Sequence, residues 1–157
     1  VQDQITARIC VEYFTIGHPP VFPTDDPTLL GLGWGIIATW WVGLILGLLL
    51  IPAARLGNRP RRSVRSLVRP ILVLMIAAGF TAAIAGVAGS ILAKAGAVEL
   101  TGAIAEQVPA NRHPAYIACL FAHTASYFVG FVGGGVLITA IWVRRGIDRH
   151  RAVTSHQ

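Results

Sequence analysis

From Ala115 to Val143 the chain reads AYIACLFAHTASYFVGFVGGGVLITAIWV, with no formally charged residue. About 20 apolar residues are enough to cross a bilayer as a helix. Inside lipid every backbone N–H and C=O must be paired within the segment, so such a run has to be helical. The stretch also holds His123, the only histidine in any membrane-length run of this chain. Tyr116, Cys119, His123, Tyr127, Gly130 and Gly134 recur at steps of three or four and share one helical face. That face is polar toward its start and small toward its end.

Two more runs of similar character precede it. The expected spans are about 29–54, 67–93 and 115–143, in a single membrane domain over 1–157. The fold class is all-α, an integral membrane helical bundle of three up-and-down transmembrane helices. Composition agrees: only 13% of residues are charged, against about a quarter in soluble domains. The net charge of +6 would suit nucleic acid, but its placement does not. Arg55, Arg59, Arg61, Arg62, Arg65 and Arg69 separate two spans, and Arg144, Arg145, Arg149 and Arg151 follow the last. Basic clusters beside spans are the positive-inside signature, and their ordinary partner is the lipid bilayer with its anionic head groups.

Topology follows from those clusters. Loop 55–66 and tail 144–157 are expected in the cytoplasm, the tail polar and frayed. Segments 1–28 and 94–114, where the acidic residues gather, are expected outside. Twelve of the thirteen basic residues are Arg, a bias that fits a GC-rich bacterial genome and so a bacterial inner membrane. The chain starts at Val1, not Met. An exported N-terminal segment needs a hydrophobic segment upstream, either a cleaved signal peptide or a further helix. A fourth helix would make an up-and-down four-helix bundle.

Local signals divide the rest. In Val1 to His18 strand and helix periodicities tie; Ile5, Ile9, Tyr13 and Ile16 fall at helical spacing, and a lone strand would lack a partner, so helix is expected. Asp26-Pro27 is a helix start, with a carboxylate N-cap and proline at N1. Trp34 is placed as an aromatic-belt residue. Gly43 and Gly47 form a GxxxG, and Ala82, Gly86 and Ser90 a small-residue face, both permitting close helix approach. Ser66 is the expected cap of the second span, with Pro70 in its first turn. Val98 to Val108 is expected to form a short interfacial helix, and His113-Pro114 to open the third span.

The reactive residue types lie on the outer side. Glu12, His18 and His113 are the candidate metal ligands, suited to a transition metal such as zinc, copper or iron. No HExxH, HxH or CxxC supports them. His113 and His123 are about 15 Å apart along a continuous helix and cannot share an ion. His123 is the candidate haem ligand, though no other span carries a second histidine. Its structural alternative is a neutral imidazole bonded to Thr39, Thr81 or a carbonyl of a neighbouring helix. Cys10 and Cys119 are both expected on the oxidising side and could pair, or Cys119 could serve as a small buried hydrophobe.

The segment ITARICVEYFTIGHPP, followed by PTLLGLGWGIIATWWVGLILG, resembles a group of small multi-pass bacterial membrane proteins that share a VEYFTIGHPP-like segment. The resemblance covers Ile5 to about Gly47 and implies a membrane helix upstream of Val1. It implies no activity, cofactor or site residue.

Three functional readings follow. The first is a non-enzymatic accessory subunit of a membrane assembly, partnered by other membrane subunits or by copies of itself. The second is an outward-facing metal- or haem-binding protein, redox or hydrolytic, using Glu12, His18, His113 and His123. The third is a small-molecule channel or carrier, which would want charged midplane residues or broken helices.

Overall fold

The computed structural model describes residues 1–154. The helices are α1 (Gln2–Ile9), α2 (Glu12–Thr15), α3 (Pro27–Arg55), α4 (Val64–Lys94), α5 (Gly102–Gln107) and α6 (His113–Thr154). A 3₁₀ turn, Ala110–Arg112, leads directly into α6. Among the described residues there is no strand. Three helices are long and apolar enough to cross a membrane: α3, α4, and α6 together with its lead-in turn.

The helix ends have local causes. Asp26 Oδ1 accepts from the amides of Thr28 and Leu29, both at 2.9 Å. Ser63, not Ser66, caps α4, its hydroxyl accepting from the Ser66 amide at 3.3 Å. The helix therefore starts earlier than expected, and Pro70 lies beyond its first turn. Gly96, at φ +69°, ends α4. The Gly96 amide donates to Ala93 and the Ala97 amide to Leu92, the double bond of a left-handed C-terminal cap. The stretch after Trp142 is helical, α6 running on to Thr154. The tail's last three positions lie outside the described residues.

Helix α6 sits between α3 and α4, with its main packing against α4. Small residues allow that contact. A Cβ on Gly89 would stand 2.8 Å from the Phe121 ring, and one on Gly86 would stand 3.3 Å from the Ala118 carbonyl. The expected small-residue face of the second span is thus the α4–α6 seam. Contact between α3 and α6 is thinner. Mid-helix, Leu46 lies against Gly134 and Trp41 against Phe131.

The buried core is not at mid-span. It gathers at the end capped by α1 and α2, around Cys10, Tyr13, Phe14, Trp34, Tyr116 and Cys119. The opposite end carries the two arginine clusters, Arg55 to Arg69 and Arg144 to Arg151. There Arg145 is fully buried. Its guanidinium donates to the carbonyls of Ala53 (2.7 Å), Pro60 (2.7 Å), Leu56 (3.0 Å) and Arg59 (3.0 Å). The last carbonyls of a helix have no partner in it. Arg145 supplies one to Ala53 and gathers the α3–α4 loop onto α6.

Candidate functional site

The cap forms because α1 packs with its polar face inward. Asp3, Thr6, Ala7 and Cys10 recur at helical spacing and are all buried, while Ile5 and Ile9 are exposed. In water the apolar side would turn in. Beside a bilayer the isoleucines can face lipid, and the polar stripe finds partners inside. The expected helix over Val1 to His18 is broken at Cys10, whose backbone is extended at φ −153°, ψ 94°.

Three glycines of α3 admit this cap. A Cβ on Gly31 would stand 2.9 Å from the Asp3 carbonyl, and one on Gly35 3.4 Å from Asp3 Oδ2. On the other side of the helix, a Cβ on Gly33 would run into the Phe22 ring. The close-approach pair in α3 is therefore Gly31 and Gly35. Gly43 and Gly47 have nothing within 4 Å of where a Cβ would sit.

His123 lies under the cap, 7% exposed. Thr6 Oγ1 is 3.0 Å from its Nε2, and Asp3 Oδ1 is 3.8 Å from the same nitrogen. Tyr13 stacks on the imidazole, ring centroids 4.8 Å apart. The Thr39 and Thr81 hydroxyls, expected as partners, bond instead to the Gly35 and Ala77 carbonyls of their own helices. The true partners lie in the segment that folds back over the membrane end.

His18 is close by, its ring centroid 5.1 Å from that of Tyr13. Its Nδ1–H donates to the Tyr13 carbonyl at 2.8 Å, which fixes the proton on that nitrogen. Its ring lies 4.6 Å from Trp34. Trp34 is at the helix end where a belt residue belongs, but it is buried among Phe14, His18 and Phe22 instead of facing lipid. Gly17 is needed here because the Tyr116 hydroxyl occupies the place of a Cβ.

Glu12 is bonded to Arg112 and Cys10, with no bond to a histidine among the described residues. Arg112 grips it with two bonds, Nε to Oε1 at 3.1 Å and Nη2 to Oε2 at 3.2 Å. The same guanidinium donates to the Ile9 carbonyl at 2.9 Å, closing the end of α1. Burial pushes the Glu12 carboxyl up, and the hydrogen bonds from Arg112, the backbone and Cys10, with the Arg112 charge, together outweigh it, leaving the carboxyl below its usual value. The Cys10 thiol donates to Glu12 Oε2 at 3.3 Å and has the Cys119 thiol as its neighbour. Both cysteines are buried and unjoined. Burial raises the Tyr13 phenol far above its ordinary value, so it stays protonated.

His113 stands apart from all of these. Its Nε2–H donates to the Val108 carbonyl at 2.9 Å and the Ala105 carbonyl at 3.2 Å. It ties the short helix α5, found within the expected interfacial segment, to the start of α6.

The structure therefore brings His18 and His123 both against Tyr13. It does not join Glu12, His18 and His113 as one ligand set. Among the described residues, no three His, Cys, Asp or Glu side chains are grouped to hold a metal ion. Asp3 and Thr6 belong to the centre but were missed in the sequence. The signal was present, as polar residues three apart in line with Cys10, but the apolar positions outweighed it. Neither the family models, nor the curated proteins, nor the solved structures include a match to this chain.

Proposed function

We propose that this chain is a non-enzymatic subunit of a bacterial inner-membrane assembly, oriented with the arginine end in the cytoplasm and the cap outside. The orientation is supported by the segregation of Arg55 to Arg69 and Arg144 to Arg151 from the acidic cap. The subunit reading is carried by α3. Between Trp34 and Ala53 no residue of this helix is buried. Trp40, at 61% exposure, is the largest side chain on its open face. The helix is fastened at its two ends, by the cap and by Arg145. Most polar groups of the cap meanwhile find partners within it, Gln2 Nε2 excepted. The apolar side of α3 is then the largest surface with unused binding capacity, filled in the assembly by a helix of another subunit or a second copy.

A photo-crosslinking residue placed at Trp40 tests this in native membranes. The proposal expects a discrete crosslinked protein, absent when the same residue replaces Phe80 on α4. Crosslinks to lipid alone, or only within the chain to a helix preceding Val1, would overturn it.

One observation favours the second reading, an outward-facing chemical site. Asp3 and His123 are an ionisable pair, both buried, with His123 inside a helix that can span the membrane. Such residues are functional candidates by default. Against a haem or metal at His123 stands the crowding of its ring by Thr6, Tyr13 and Phe14.

A further inference from the structure

The contact between Thr6 and His123 sets a register between α1 and α6. The two run antiparallel there: Thr6 meets His123, and further along α1 the Ile9 carbonyl accepts from Arg112, which precedes α6. The Cys10 amide donates to the Thr6 carbonyl at 2.8 Å, so Cys10 stands one helical turn beyond Thr6. Cys119 stands one turn before His123 on the unbroken helix α6. One turn forward on α1 and one turn back on α6 therefore lead from the first pair to the second. These are the chain's only two cysteines, and they come from segments far apart in sequence.

The thiols meet inside one buried cluster, Cys10 at 0% exposure and Cys119 at 2%. Each lies within hydrogen-bonding reach of the other. The rung is held from both sides. Thr6 Oγ1 lies 3.0 Å from His123 on one, and Arg112 bonds Ile9 and Glu12 on the other. Tyr13 packs across both turns of α6, its ring centroid 5.3 Å from that of Tyr116 and 4.8 Å from that of His123. Cys10 itself has extended backbone at the break between α1 and α2. No helical ladder runs on through it to resist the small approach that a sulfur–sulfur bond requires.

We infer that Cys10 and Cys119 join in the native membrane as a disulfide that fastens the cap to α6. Both are thiols in this structure. The inference rests on the proposed orientation, which sets the cap on the oxidising side of the membrane; it does not depend on the subunit reading. The oxidant is a disulfide-bearing thiol oxidase of that compartment. One cysteine thiolate attacks a sulfur of the donor disulfide, and the other cysteine then attacks the mixed disulfide so formed. The Cys10–Cys119 bond forms, the donor disulfide is reduced to two thiols, and the two protons lost by the cysteines pass to those thiols. With both sulfurs buried, the exchange belongs to the time before the cap closes. The closed cap then shields the bond from reductants, and the long loop it ties restrains the unfolded chain strongly.

Thiol trapping in native membranes tests the bond. The full chain is denatured in N-ethylmaleimide, then reduced and treated with a polymer-tagged maleimide. Essentially every chain should take up two tags, and without the reduction step none. On a denaturing gel without reductant it should migrate as a single chain. Cys10→Ser and Cys119→Ser should each leave the remaining cysteine open to N-ethylmaleimide, so that neither variant takes up a tag. Cysteines blocked by N-ethylmaleimide in the wild type overturn the inference, and so does a disulfide between chains. Reduced, detergent-purified protein in a glutathione redox buffer then locates the fault. Closure of the bond there would place it in the orientation, and free thiols there in the pairing itself.

Discussion

Thr6 and His123, 117 residues apart in sequence, meet at 3.0 Å through a hydroxyl and an imidazole nitrogen. This contact joins the polar face of α1 to the centre of the cap-end core, and with it the N-terminal segment becomes part of the membrane bundle. Thr6→Val keeps the shape and removes the hydroxyl. It should cost about 1–2 kcal/mol, because a buried nitrogen loses its partner. Thermal unfolding in detergent reads the loss, and faster hydrogen exchange confined to residues 1–16 identifies its place.

The Glu12–Arg112 pair makes the cap acid-sensitive. The folded pKa of Glu12 lies below its ordinary value of 4.5. Its contribution to stability is therefore complete above about pH 4.5 and is lost as pH falls through the folded value. Proteolysis between Ile9 and Pro27 should accelerate when the pH is lowered from 7 to 3. Glu12→Gln should be faster than wild type at pH 7 and should flatten that part of the pH dependence.

Gly31 and Gly43 test which glycine pair matters. Gly31→Ala places a methyl 2.9 Å from backbone, the Asp3 carbonyl, whereas Gly43→Ala meets nothing within 4 Å. The first should destabilise the cap by about 1–3 kcal/mol through overpacking. The second should leave unfolding unchanged or slightly improved, since alanine favours helix. Comparable melts for the two variants would contradict the packing described.

Arg145 holds the other end. Arg145→Met removes a guanidinium that serves four carbonyls. The expected loss is about 2–4 kcal/mol, from carbonyls left unpaired or rehydrated. Arg145→Lys should recover only part of it, since an ammonium lacks the planar fork. The exposed neighbour Arg144 should tolerate either change within about 0.5 kcal/mol.

Much of the architecture was legible because lipid imposes one rule on long apolar runs. The three spans were readable from Leu29, Leu67 and Ala115 onward, with ends that moved by a few residues at the first two. The reach of α6 past Trp142 was not, because polar residues there look like a loose tail unless a loop is known to fold onto Arg145. Asp26 was readable as a cap because its role is local. Ser63 was not, because Ser66 has the same chemistry three residues on. The site was harder. His123 and His18 are rare residue types in a conspicuous place. Asp3 and Thr6 were hidden by Ile5 and Ile9, since apolar spacing marks the buried face in water but the lipid face here. The GxxxG at Gly43 has the same spacing as Gly31 and Gly35, and only the position of α1 separates them.

As one subunit of a larger membrane assembly, this chain should keep a protein partner when it leaves the membrane. Native mass spectrometry on protein released gently from its own membrane tests it most directly. The expected particle is heavier than one chain with its lipids, contains a second copy or another membrane protein, and dissociates when Trp40 and Ile36 are both replaced by alanine. A single chain with lipid alone, unchanged across several mild detergents and indifferent to those substitutions, would contradict it.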